Sequence, residues 1–403
     1  MRVSTRLYQD TGVNAMLEQQ AKVSKTQLQL ASGRRILAPS DDPSGSARVL
    51  QLRQSLSITD QFQINANTAT SRLQLEESVL NNITNALQRV RELAVNGSND
   101  INSNVSRGAI AVEVRQLLEE VLMSANSRDA NGEYLFAGFQ GLTQPFSRDA
   151  SGNYLYAGDE GQRFVQIGPN RQIAMSDSGT EVFRAIQNGN GVFTTRENAA
   201  NTGTGIMDPG SVNGSFVRET YTITFTQVLP TDPITYGVTD STAAVIIPAG
   251  TAYQEGADIT FNGVRTNIKG TPADGDSFTV SPSVNQDIFT TIDNLAVTLE
   301  TGAGNDAGRA HFANAVNRFL TDIDQTLTRV LETETNVGAR MNAIDSQFNI
   351  NDAYSLQLKG AISLIEDLDY AEASSRLNLQ LVGLQAAQQS FIRIQGLSLF
   401  NYL

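Results

Sequence analysis

The sequence predicts an α+β fold: an elongated antiparallel helical bundle, or coiled coil, made from both chain ends, with an inserted β-rich middle domain. Three observations carry this expectation. Long heptad patterns stand near both ends of the 403-residue chain. Between Phe139 and Ser283 the chain turns rich in Gly, Thr, Asn and Pro, with short alternating runs. Residues 1–100 carry a net charge of +2 and residues 284–403 one of −7, opposite signs that suit ends lying together.

The first helix has two adjacent seams, Val13, Met16, Gln20, Val23, Gln27, Leu30 and Leu17, Ala21, Ser24, Leu28, Ala31. Doubled seams suit a helix that touches several neighbours. Gly33 is placed to end it, and Asp42 with Pro43 to cap and open the next. That second helix carries Ala66, Ala69, Leu73, Glu76, Leu80, Ile83, Leu87, Val90 and Ala94 at steps of three and four, and Asn96-Gly97-Ser98 closes it. Ile110, Val114, Leu117 and Val121 mark a third helix.

In the middle, Thr220–Thr226 reads as a strand of period two, and Asp258–Val264 as a strand entering an Asn-Gly turn. Ser127–Gly138 recurs at Ser147–Gly158 with nine of twelve positions matching, each copy a glycine turn leading into an aromatic strand. Toward the C-terminus, Val316, Leu320, Ile323, Leu327, Val330, Glu334, Val337, Met341, Ile344 and Phe348 continue the heptad step unbroken, too long for an ordinary globular helix. The last helix carries Ala373, Leu377, Gln380, Leu384, Ala387, Phe391 and Ile394, with Leu397, Leu399 and Phe400 beyond. Gln within the terminal seams weakens a dry core, so these helices are expected to be marginal alone and stable in an assembly.

The expected organisation follows. Terminal assembly helices occupy 1–42 and 360–403, with an interface of Val13, Met16, Leu17, Val23, Leu28, Leu30, Leu377, Leu384, Phe391, Ile394, Leu397, Leu399 and Phe400. A helical rod spans 43–138 and 284–359, its core made of Leu73, Leu80, Ile83, Leu87, Val90, Val316, Leu320, Ile323, Leu327, Val330, Val337, Met341 and Ile344. A β-rich outer insert fills 139–283, and roughly Gly191–Gly256 is expected to be dispensable for the rod.

Composition removes most chemistry. There is no cysteine, hence no disulfide, thiolate site or thiol nucleophile, and one histidine, His311, excludes any mechanism needing two imidazoles. A net charge of −13 argues against a nucleic-acid or anionic-membrane footprint. No apolar run is long enough for a membrane span, and no cleavable signal is visible, which by itself reads as cytoplasmic. Gly302–Gly308 lacks the Lys-Ser/Thr ending of a phosphate loop and reads as a helix connection. Asp129-Ala130-Asn131-Gly132 lacks the remaining ligands of a calcium loop. Glu366-Asp367-Leu368-Asp369 reads as a solvated or partner-facing surface, and His311 as packing or capping. No catalytic residue, metal site or cofactor is expected.

Both ends resemble the flagellin superfamily of bacterial flagellar axial proteins. Arg2-Val3-Ser4-Thr5, Leu30-Ala31-Ser32-Gly33-Arg34-Arg35 and Pro39-Ser40-Asp41-Asp42-Pro43 look like its N-terminal signature. Ile365–Ala373 and Leu384–Phe391 look like its C-terminal one. Asp41-Asp42-Pro43, Asn131–Gly138, Gly270–Phe278 and the ending Ser398–Leu403 are closer to the hook-associated branch than to filament subunits. The resemblance implies a structural subunit, not an enzyme, secreted by the flagellar type III route and forming a junction ring between hook side and filament. It also implies self-association, contact with a neighbouring hook-associated protein and with flagellin, and an export chaperone on the C-terminal helix. A filament flagellin and an intracellular coiled-coil adaptor are the alternatives.

Overall fold

The computed structural model describes residues 5–229 and 231–396, with the side chains of 5, 6, 8, 9 and 394–396 outside that description. The interface expected at Ile394, Leu397, Leu399 and Phe400 therefore lies outside the described residues. Among the described residues there are six α-helices: α1 (Thr5–Ser32), α2 (Pro43–Gly97), α3 (Asn104–Ala125), α4 (Ile288–Thr301), α5 (Asp306–Glu366) and α6 (Tyr370–Gly396). Helical arms from both chain ends and a β-rich middle give the α+β architecture that the sequence predicts. The chain forms two compact units: one of residues 1–65, 167–169 and 346–403, the other of 66–166 and 170–345. The division falls inside α2 and α5, whereas the composition of the sequence suggested boundaries near 42 and 359.

In the larger unit, every position of the α2 seam from Ala66 to Ala94 is buried, including Glu76. Ion pairs tie α2 to its neighbours, Arg91–Asp324 on α5 at 2.7 Å and Arg89–Glu113 on α3 at 2.8 Å. Arg115 on α3 holds Asp293 and Glu300 of α4 at 2.7 and 2.6 Å. On α5, Val316, Ile323, Val330, Val337 and Ile344 are buried at a strict seven-residue step. Leu320, Leu327 and Met341, expected in the same core, are half-buried. Burial falls instead on Phe319, Thr326 and Thr333, one residue earlier in each heptad. The hydroxyls of Thr326 and Thr333 donate to the carbonyls of Asp322 and Arg329, so they enter the interior already satisfied.

The β-rich stretch resolves into two parts. Residues 136–186 pack aromatic rings against α4: Phe146 lies 5.3 Å from Phe183 and 5.1 Å from Phe289, and Phe136 meets Phe183 edge-on at 5.0 Å. The two repeat copies fold alike at their turns. Asp129 Oδ1 accepts the amides of Asn131 and Glu133, and Asp149 Oδ1 those of Ser151 and Asn153. The second copy forms the hairpin Phe146–Arg148/Tyr154–Tyr156, and the first only an Arg128–Tyr134 bridge.

Beyond Asn188 a five-stranded antiparallel sheet has the order 245–252, 235–240, 221–226, 277–282, 193–197. A smaller sheet joins 258–261, 264–269 and 206–207. Phe261 pairs with Val264 across Asn262 (φ +41°) and Gly263 (φ +83°), the left-handed pair that an Asn-Gly hairpin turn needs. One core serves both sheets, with Phe193, Met207, Tyr221, Phe225, Ile259, Phe261, Ile268 and Phe278 among its members. The chain enters and leaves at one neck, where Asn188 N–H donates to the Val284 carbonyl at 3.0 Å.

The sequence reading missed a polar row on α5 that holds this sheet domain. Asn314 accepts the Met207 amide at 2.8 Å and donates to the Gly205 carbonyl at 3.0 Å. Arg318 pairs with Glu197 at 2.7 Å, and Asp322 accepts the Gly189 amide at 2.6 Å. Farther along, Arg329 donates to the Glu181 carbonyl and Arg340 grips Asp177. His311 meets the Asn201 carbonyl at 3.0 Å, a bonding role in the same row. Steps of three and four were visible in the sequence, but a hydropathy reading assigns such residues to solvent.

Candidate assembly site at the joined termini

In the smaller unit α1 and α6 run antiparallel. Gly12 lies under the Phe391 ring, where a Cβ would approach to 3.0 Å, and the Gln19 amide donates to the Gln380 carbonyl at 3.0 Å. Thr26 donates to Gln380 Oε1 at 2.8 Å. The shared seam buries Val23, Thr26, Gln29 and Ala373, and half-buries Met16, Leu30, Leu377, Leu384 and Phe391. Gln19 and Gln380 find partners across the pair, and buried Gln29 donates to the Arg35 carbonyl at 2.6 Å, which offsets their desolvation.

The second seam of α1 stays uncovered. Leu17 and Leu28 are each 58 % exposed, and Ala21, Ser24 and Ala31 are exposed too. Val13 is also exposed, and on α6 Leu379, Val382 and Ile392 face outward. Apolar side chains recurring along both helices form a surface of the kind that marks a protein interface.

At the far end of the pair the two turns interlock. Gly33 ends α1 in the left-handed region (φ +70°), with its N–H on the Gln29 carbonyl at 2.9 Å. Arg35 N–H donates to the Glu366 carbonyl at 2.7 Å, and Leu368 N–H to the Gly33 carbonyl at 3.0 Å. The Arg35 guanidinium reaches the Ile365 carbonyl at 2.7 Å. Glu366 is buried, held by Arg53 through both oxygens at 2.8 and 2.6 Å and by Arg34 at 3.2 Å. The expectation of a solvated or partner-facing acidic surface holds for the exposed Asp367 and Asp369 and is corrected for Glu366, a buried ion-pair partner. Asp369 caps α6, accepting the amides of Ala371 and Glu372 at 2.9 and 3.1 Å.

Asp41 and Asp42 organise the other turn. Lys25 bonds Asp41 at 2.6 Å, and that bond, with the Leu37 and Ala38 amides, holds the carboxyl below the usual range. Asp42 accepts the Gly45 amide at 2.8 Å as the cap of α2, and this bond, with Ser44 and then Arg35, lowers its carboxyl too. Ile36, Leu37, Pro39, Val49, Leu50 and Arg53 line an open cleft of about 210 Å³ beside the turn. Arg34, Arg53 and Tyr370 escaped the sequence reading. Two arginines beside a helix-ending glycine, facing a distant acidic run, were the available signal.

These residues bond, cap and pack, and they offer no arrangement for nucleophilic or acid–base chemistry. Among the described residues no three His, Asp or Glu side chains gather as metal ligands, and no helix is long and apolar enough to cross a membrane.

Comparison with known proteins converges on the same two ends. Residues 3–141 match the family model of the bacterial flagellin N-terminal helical region, and residues 320–403 that of the C-terminal helical region. The chain is similar to flagellar hook-associated protein 3 of Escherichia coli K12, 24 % identical over 402 residues that cover 100 % of this chain and 99 % of that one. The crystal structure of hook-associated protein 3 from Legionella pneumophila superposes with a TM-score of 0.76 at 34 % identity, covering 79 % of this chain and 98 % of that one. The chain belongs to the flagellar hook-associated protein 3 family. Another solved structure, that of Xanthomonas campestris FlgL, gives a TM-score of 0.72 at 33 % identity over 77 % of this chain and 99 % of that one. Hook-associated protein 3 is a structural protein of the bacterial flagellum, and membership places this chain there. The interlocked turns around Gly33 and Glu366 lie wholly within the two matched regions.

Proposed function

We propose that this chain is a non-enzymatic subunit that self-associates in a ring at the hook–filament junction, joining a neighbouring hook-associated protein to flagellin. One observation carries the proposal: the paired terminal helices leave an apolar face open along α1 and α6, at Leu17, Leu28 and Leu379. A neighbouring subunit covering that face removes it from water and orders the marginal pair. On this reading the paired helices build the tube wall. The chain travels by the flagellar type III route, with an export chaperone shielding the C-terminal helix until then. Lack of cysteine suits a chain threaded unfolded and used outside the cell.

The test adds purified protein to exposed hook ends and scores filament growth. The double variant Leu17→Asp, Leu28→Asp changes only side chains exposed in the free subunit, so it should retain wild-type helicity and melting. It should nevertheless fail to join hook ends or seat a filament. Normal filament growth on that variant would refute the assembly face.

A further inference from the structure

The larger unit holds a buried polar cluster that the assembly role does not use. Glu76 of α2 is fully buried. Its Oε1 accepts the Asp177 amide at 3.2 Å, and its Oε2 has no hydrogen-bond partner. The charged groups facing it are Arg72 on α2, Asp177 on the segment 175–179 and Arg340 on α5, with Glu181 acting on Arg340 from the following turn. The charges of those groups are already matched, although Arg72 Nε, like Glu76 Oε2, has no hydrogen-bond partner. Arg72 pairs with Asp129 and Glu133, Arg163 also takes Glu133, and Arg340 holds Asp177 at 2.7 and 3.0 Å. Three arginines thus meet three carboxylates without Glu76. An ionised Glu76 adds an unmatched charge, with one oxygen bare of donors, against the buried Asp177 carboxylate.

We propose that Glu76 is a proton-operated latch that holds the segment 175–179 against α2 and α5 while neutral and releases it on ionising. Burial, and after it the Asp177 charge, raises the Glu76 carboxyl well above its ordinary range, outweighing the Asp177 amide bond, Arg340 and Arg72, which all favour the ionised form. Folding therefore binds a proton here. The latch is fully closed below the ordinary carboxylate range, and its contribution declines as pH rises until the folded-state value is passed. The segment is tied at both ends to neighbouring strands and turns. Gly179 N–H bonds the Phe136 carbonyl, Met175 N–H bonds the Arg163 carbonyl, and the Phe183 ring of the aromatic core follows directly.

The experiment compares wild-type protein with Glu76→Gln, which reproduces the neutral carboxyl. Amide hydrogen exchange across 175–179 is measured for both at each pH from about 5 to about 9, a range that covers known buried glutamates. Comparison at equal pH cancels the intrinsic dependence of exchange on hydroxide. The two should match at the acidic end, and the wild type should exchange about tenfold faster or more at the alkaline end. A constant ratio at every pH, or a variant less protected at the acidic end, would overturn the latch. Infrared spectra give a readout that does not depend on how the variant folds. Wild-type protein at the acidic end of that range should show the carbonyl stretch of a protonated, buried carboxyl that fades toward the alkaline end, and absence of that band throughout would equally overturn the proposal.

Discussion

A Cβ on Gly33 would stand 2.8 Å from the hydroxyl oxygen of Tyr370, so the residue after α1 and the first residue of α6 meet with the tyrosine hydroxyl over the open side of the glycine. The contact sits inside the backbone exchange between Arg35, Glu366, Gly33 and Leu368. Residues more than 330 positions apart thereby close one joint, and the signature motifs of both chain ends are the residues that build it.

Gly33→Ala should destabilise the smaller unit by about 1–2 kcal/mol from the left-handed backbone alone, and further from the clash with Tyr370. Adding Tyr370→Phe removes the hydroxyl and leaves the next ring atom at 3.8 Å, so the double variant should recover the steric part and keep the backbone part. Urea melts of the four proteins of this cycle measure both. Strict additivity would show that the two residues do not share the joint.

Ile323→Asp places a carboxylate at a fully buried position of α5 and should cost about 4 kcal/mol or more. Leu327→Asp, at a half-buried position, should cost about 1–2 kcal/mol because its carboxylate reaches water. The sequence alone treated these two positions as equivalent. Equal losses in melting would restore that equivalence and contradict the burial pattern.

Acid should loosen the joint before neutral or mildly alkaline pH does. Asp41 and Asp42 both titrate below their ordinary value of 3.8 in the folded chain. Their contribution is present above the unfolded-state value and is lost as pH falls through the depressed folded values. Asp42→Asn keeps an oxygen for the Gly45 amide but removes the charge, so the acid dependence of exchange at the start of α2 should flatten. An unchanged acid slope in that variant would remove Asp42 from the account.

Excising 189–283 and joining Asn188 to Val284 through a short Gly-Ser linker should leave the helices folded. The cut falls at a neck already closed by hydrogen bonds, and the polar side chains Asn314, Arg318 and Asp322 return to water. The narrower cut suggested by sequence, 191–256, strands Ile259, Phe261, Val264, Ile268, Phe278 and Val280 without the strands that cover them. It should give an aggregating chain. Circular dichroism and solubility distinguish the two, and a soluble, helical product from the narrower cut would show that the sheet core is divisible.

What the sequence revealed depended on how directly physics writes itself into pattern. The α2 seam and the row Val316, Ile323, Val330, Val337, Ile344 were legible because buried apolar residues at a fixed step leave a period. Asp42 before Pro43 was legible as a cap because few other roles suit that pair. The α5 row of Asn314, Arg318, Asp322 and Arg340 was not, since a bonded interior polar group looks like a solvated one. Glu366 was read as surface for the same reason, its partners Arg34 and Arg53 lying far away in the chain. The open face at Leu17 and Leu28 was anticipated as a second seam, whereas its partner must come from outside this chain.

The measurement that tests the account most directly is the position of labelled protein on intact flagella. Gold-labelled antibody against this chain, viewed by electron microscopy, should mark one narrow band at the base of each filament. Label along the whole filament would make the chain a flagellin, and label confined to the cell interior with export working would make it an intracellular adaptor. Either result would contradict the junction role.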